Sequence, residues 1–231
     1  MKHTEKSNAQ DSNDATIGRG SAVVEQAHAS GKYVVECFAP SDEDRARYIA
    51  LRDKIATIES ENFVRRLLAR PLLNELRSEM AAIPLHKKWE DVISNLVTTV
   101  GGNDALDKYL AGSAYTAAWY IGLIGTTSYT TGPALGDTSA SHGGWAEDQN
   151  YSQAARPTAA FSAASGKSKA LSSALTFSIN ATTTIKGCFL ISNSTKGGST
   201  GFLYSAGLFT GGDKGPLSNG DTLNVSYTAT I

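Results

Sequence analysis

The residue types able to do chemistry are scattered through this chain. Gly166-Lys167-Ser168 has the closing letters of a phosphate-binding loop. Phe161 stands where that loop's first glycine belongs, and strand-forming residues follow where a helix is required, so the motif is rejected. No G-x-S-x-G elbow occurs. His3, His28, His86 and His142 have no second ligand at metal-binding spacing. Asp137, His142 and nearby serines have the types of a hydrolytic triad, as any serine-rich chain does. Glu147-Asp148 is the one acidic pair in its stretch, able to hold a cation or open a turn, and is expected at the solvent surface. Cys37 and Cys188 lack metal spacing and read as reduced core thiols, with a disulfide open only to neighbouring strands. With no complete constellation, the chain is expected to be no enzyme and to use no cofactor or metal.

Composition narrows the partners. A formal net charge of −1 over 231 residues argues against nucleic acid or an anionic membrane as the main partner, since both select clustered basic surface. No apolar run approaches the roughly 20 residues that span a bilayer. The polar start, MKHTEKSNAQDSNDATIGRG, lacks the apolar segment of a secretory signal. Past Gly101 the sequence is rich in Ser, Thr, Gly and Ala, with few cations, which suits β-structure and packing against other proteins.

These residues must be positioned by a mainly β fold. The stretch Asn95–Gly125 reads as strand, short helix, strand: Leu96–Val100 extended, Gly101-Gly102 as a stop, Asn103 as helix cap, Gly112 at the helix end, then an almost wholly apolar strand from Ala117 to Ile124. Lys32–Phe38 alternates, with Tyr33, Val35 and Cys37 on one face. Later strands are expected near 158–163, 169–180, 184–193, 200–209 and 221–230, divided by glycine- and asparagine-rich turns. The aperiodic stretch 126–157 is expected to pack on itself through Tyr129, Trp145 and Tyr151. The expected architecture is a jelly-roll-like β-sandwich formed by residues 31–39 and 87–231, with an extended N-terminal arm over 1–30 and an insertion over 40–86 that is helical from about 41 to 83.

That insertion is the sequence's most distinctive element. Ser41 caps a first helix whose Tyr48, Leu51, Ile55 and Ile58 form a stripe; the stripe slips near Ser60. Phe63, Val64, Leu67 and Leu68 make a second apolar face, Arg70-Pro71 interrupts it, and Leu72, Leu73, Leu76 and Met80 continue beyond. The accompanying arginines read as a solvated face carrying surface ion pairs. The flanking strands look like two arms of a hairpin whose turn the helices have replaced. The apolar stripe exceeds what a helical hairpin hides, so Ile55, Ile58, Phe63, Leu67, Leu72, Leu76 and Met80 are candidate partner contacts. Trp119 and Trp145 are further candidates, with core packing as their ordinary alternative.

The order KYVVEC, KWEDVISNLVTTVG, LDKYLAGSAYTAAWYIGLIG, DTSASHGGWAED, YSQAARP, ISNSTKGG and NGDTLNVSYTATI resembles a family of tailed-bacteriophage virion structural proteins, over about residues 31–39 and 88–231. Residues 40–87 depart from that pattern, where members have a short turn. The resemblance implies a head decoration or cement protein. Such a protein is made in the host cytoplasm, sits on the capsid surface, and contacts the major capsid protein and neighbouring copies of itself as a homo-oligomer. A tail or fibre component contacting the host surface is the alternative. The family supplies no catalytic residues.

Overall fold

β-Branched and aromatic residues with period-two burial build two long partners, β1 (Ser30–Pro40) and β2 (Leu85–Val97). They pair antiparallel from Ser30↔Leu96 to Pro40↔Leu85, with one bulge after Cys37. Tyr33, Val35 and Cys37 face the core and Glu36 and Phe38 the other side, as the alternation requires. The computed structural model describes residues 29–110 and 118–230. Most of the expected N-terminal arm, and the helix end expected at Gly112, therefore lie outside the described residues.

The insertion holds α1 (Asp42–Ser60), α2 (Phe63–Leu68) and α3 (Arg70–Ala81). Ser41 Oγ accepts the Asp44 N–H at 3.2 Å, Asn62 Oδ1 accepts the Arg65 N–H at 3.1 Å, and Pro71 occupies the first turn of α3, where its missing N–H costs nothing. α1 and α3 bury Leu51, Ile55, Leu73 and Leu76 against one another, with Ile83 from the segment after α3, in a small core separate from that of the β-structure. Two of the three arginines of α1 differ from their expected solvated role; Arg47 keeps it, in an open pair with Glu79 at 3.7 Å. Arg45 donates to Asp221 Oδ1 at 2.7 Å and to the Asn219 carbonyl at 3.1 Å. Arg52 donates to the Ile179 carbonyl at 3.0 Å and to Asn219 Oδ1 at 2.8 Å. Both guanidiniums anchor the insert on the turn at 218–221.

β2 ends earlier than expected, and α4 (Thr99–Leu110) takes in Val100 and both glycines. Thr98, not Asn103, caps it: the buried Thr98 hydroxyl accepts the Gly101 N–H at 3.1 Å, while its own N–H closes the strand ladder on the Tyr204 carbonyl at 2.9 Å. A Cβ on Gly101 would run into the Tyr204 main chain, so this glycine permits close helix–sheet approach and does not break structure.

The remaining strands are β3 (Tyr120–Gly125), β4 (Glu147–Asp148), β5 (Ser168–Ala170), β6 (Leu175–Ser178), β7 (Thr183–Ile191), β8 (Leu203–Leu208), β9 (Lys214–Leu217) and β10 (Thr222–Thr230). All join one antiparallel sheet in the order β4-β3-β7-β8-β2-β1-β10-β5, with β6 also on β10 and β9 on β7. β9 falls between the strands expected at 200–209 and 221–230, where the sequence pattern gives none. The expected strand at 158–163 makes only isolated bridges, Thr158 to Tyr120 and Phe161 to Leu171.

Those bridges join the two ends of the sheet. Ala159 N–H reaches the Trp119 carbonyl at 2.7 Å, Ser162 N–H the Ala170 carbonyl at 3.0 Å, and Ser152 N–H the Ser178 carbonyl at 2.8 Å. One hydrophobic cluster accordingly takes Ile121, Leu123, Cys188 and Leu190 from one end and Tyr33, Val35, Phe177, Leu223, Val225 and Tyr227 from the other. The fold is mainly β, a wrapped sheet with the helical insert on its β1–β2 hairpin.

Candidate functional site

The six residues of α2, FVRRLL, contain no buried position. A six-residue helix has too few hydrogen bonds to be stable by itself, so it is held by Asn62 at its start and by the α1–α3 pair beside it. Phe63, Val64, Leu67 and Leu68, with Leu72 on α3, are 46 to 77% exposed. Contiguous large apolar side chains this open mark an interaction surface more often than isolated ones do. A groove of about 500 Å³ runs along the patch, with Phe63, Leu67 and Leu73 as apolar lining and Arg66, Arg70 and Arg77 among its polar residues.

The residues singled out from sequence separate into three places. Ile55 and Leu76 lie inside the insert's own core, and Ile58 and Met80 pack at its fringe. Phe63, Leu67 and Leu72 are the outward part, and the patch adds Val64 and Leu68, which the same apolar run supplies. Trp119 is half-buried against the main core, edge-on to Tyr204 at 5.5 Å. Trp145 is buried in a second cluster with Ile124, Phe189 and Leu203. Its indole N–H donates to Asp137 Oδ2 at 2.8 Å and its ring lies 4.3 Å from that of His142.

The candidate chemical groups have structural partners. Asp137 accepts from Trp145 and from the Ala134 N–H, while His142 Nδ1 meets the Thr138 carbonyl at 3.0 Å, so the carboxylate does not orient the imidazole. Lys167 sits in a left-handed turn leading into β5, which gives no helix N-terminus to hold phosphate. Among the described residues no three His, Cys, Asp or Glu converge as a metal site, and no helix is long and apolar enough to cross a membrane.

Glu147-Asp148 is not at the surface as expected. Arg156, 4% exposed, forms a fork with Glu147 at 2.9 and 2.8 Å and also donates to the carbonyls of Asn193 at 2.8 Å and Gly198 at 3.2 Å. The Gly197 N–H also donates to Glu147. Asp148 accepts from Asn150 and Thr183. Lys196 donates to the Tyr151 carbonyl at 2.8 Å and lies over its ring at 3.8 Å; burial lowers its pKa, with Glu147 and Asp148 opposing. Sequence reasoning missed this cluster because Glu147 and Arg156 are separated by aperiodic chain, and no local pattern announces their pairing. A buried pair this fully hydrogen-bonded clamps the 146–157 and 193–198 loops together.

No family model matches the chain, and no curated protein matches it.

Proposed function

We propose that this chain is a structural component of a tailed-bacteriophage virion, a head decoration protein that binds the major capsid protein through its helical insert. The observation that carries the reading is the exposed Phe63, Val64, Leu67, Leu68 and Leu72 patch, held on a support that does not itself need a partner to bury its core. The sequence resemblance supplies the virion context, and the wrapped antiparallel sheet accords with a jelly-roll-like member of that group. Anchoring by Arg45 and Arg52 fixes the insert relative to the sheet, so little ordering cost is left for binding.

The mechanism is mass action. Each docked copy adds contacts that must break before a shell subunit can leave, and neighbouring copies on the capsid surface extend the effect. An ordinary specific interface buries about 800 Å² per partner, with its energy concentrated in a few large residues. In the test, undecorated shells are titrated with wild type and with the Phe63→Ser/Leu68→Ser variant. Occupancy is measured by sedimentation and shell stability by calorimetry. Both substitutions are at open positions, so the variant keeps its fold; its shell affinity should fall about a hundredfold and its rise in shell melting temperature should vanish. Wild-type occupancy by the folded variant would remove the insert from the interface.

A further inference from the structure

The apolar groove on the insert has an unbalanced rim. Arg65 pairs with Glu61 at 3.3 Å, and Arg77 pairs with Glu59. Arg66 donates only to the Glu59 carbonyl, at 3.4 Å, and among the described residues neither Arg66 nor Arg70 has a carboxylate in ion-pair reach. Two guanidiniums therefore stand uncompensated beside Phe63, Leu67 and Leu73. Each offers a planar fork of donors suited to a carboxylate.

We propose that this groove takes an acidic amphipathic helix of its protein partner, with apolar side chains on Phe63 and Leu67 and carboxylates at Arg66 and Arg70. The inference rests on the insert being the docking element and adds the chemistry of what docks. A concave apolar floor bounded by cations matches helix-in-groove recognition. A second copy presenting the same groove would bring Arg66 and Arg70 toward their equivalents, a like-charge contact that opposes pairing. A lipid surface is flat and would leave a concave groove unfilled.

The test uses the full chain and two fluorescein-labelled helical peptides with the same leucine stripe, one carrying glutamates elsewhere and one lysines. Fluorescence anisotropy at low salt should show the glutamate peptide binding at least about tenfold more tightly, with the margin shrinking as salt rises. Arg66→Glu/Arg70→Glu should invert the preference, and Phe63→Ser should weaken both peptides. Equal binding of the two peptides, or an unchanged preference in the arginine variant, overturns the proposal. So does dimerisation through the patch that Phe63→Ser abolishes and the glutamate peptide does not displace, and so does binding to phosphatidylserine vesicles without peptide binding. Loss of shell docking in Phe63→Ser with no peptide preference would retain the proposed function and discard the acidic partner. Peptide preference without shell docking would do the opposite.

Discussion

Asp221 ties three elements together at one carboxylate. It is buried, and it accepts from Arg45 of α1 at 2.7 Å, from Lys88 of β2 at 2.8 Å and from the Ser218 N–H at 3.0 Å. Burial pushes its pKa up, but the hydrogen bonds from Lys88, Arg45 and Ser218 outweigh that and hold it below the usual carboxylate value. A folded pKa below the unfolded one means that the stabilisation is fully present above the unfolded pKa and is lost as pH falls through the folded one. Asp221→Asn keeps the shape and removes the charge. Removing one partner of a buried pair costs roughly 3–5 kcal/mol, and Arg45 and Lys88 retain some solvent, so about 2 kcal/mol is expected at pH 7. Urea unfolding should show that gap at pH 7 and a clearly smaller one near pH 3. A gap independent of pH would mean that the charge is not what holds the turn.

The β1–β2 hairpin and its insert behave as separable elements. Pairing continues to Pro40↔Leu85, the last residues before the helices, and α1–α3 keep their own apolar cluster. Replacing residues 41–84 with Asn-Gly leaves the two-residue connection that closes an antiparallel pair. The shortened chain should still melt in one cooperative transition, at a lower temperature because Ile49 no longer covers Gly220 and Asp221 loses Arg45. Differential scanning calorimetry decides this. A broad, non-cooperative melt would show that the helices are part of the main folding unit. The helices, the Ser41 cap and the break at Ser60 are legible in the sequence because each is set by neighbours within four residues. The anchoring by Arg45 and Arg52 is not, since its acceptors lie more than a hundred residues away.

Across the whole molecule, the wrapped sheet places both cysteines in one core. Cys37 on β1 and Cys188 on β7 are buried and free. Burial, with the Asp221 carboxylate nearby, pushes the Cys37 thiol up to about 12, and burial alone pushes Cys188 higher. Neither forms appreciable thiolate at pH 8, and thiolate is the reactive species. Labelling by a thiol-specific disulfide reagent should therefore be negligible on the native protein and should release two equivalents on unfolding in urea, at one rate set by opening of the shared core. Rapid native labelling of one thiol would show that its end of the sheet opens independently.

Local physics determined much of this chain. Period-two burial in β1, the Ser41-capped first helix of the insert and the apolar run of β3 are each set by residues close in sequence. Tertiary structure alone decided the rest. Gly101-Gly102 reads as a stop until β8 is present for the Gly101 backbone to approach, and Thr98 becomes a cap only because its strand ends there. Glu147 and Arg156 become a buried pair only when the 193–198 loop supplies the acceptors that make a buried guanidinium tolerable. Ile55 and Phe63, from two successive apolar faces of the insert, are equally candidate partner contacts in the sequence, yet one is core and the other surface, because only the packing of α1 on α3 says which face is already taken. Hydrophobic pattern specifies that a face must be covered; the contacts of the folded chain specify what covers it.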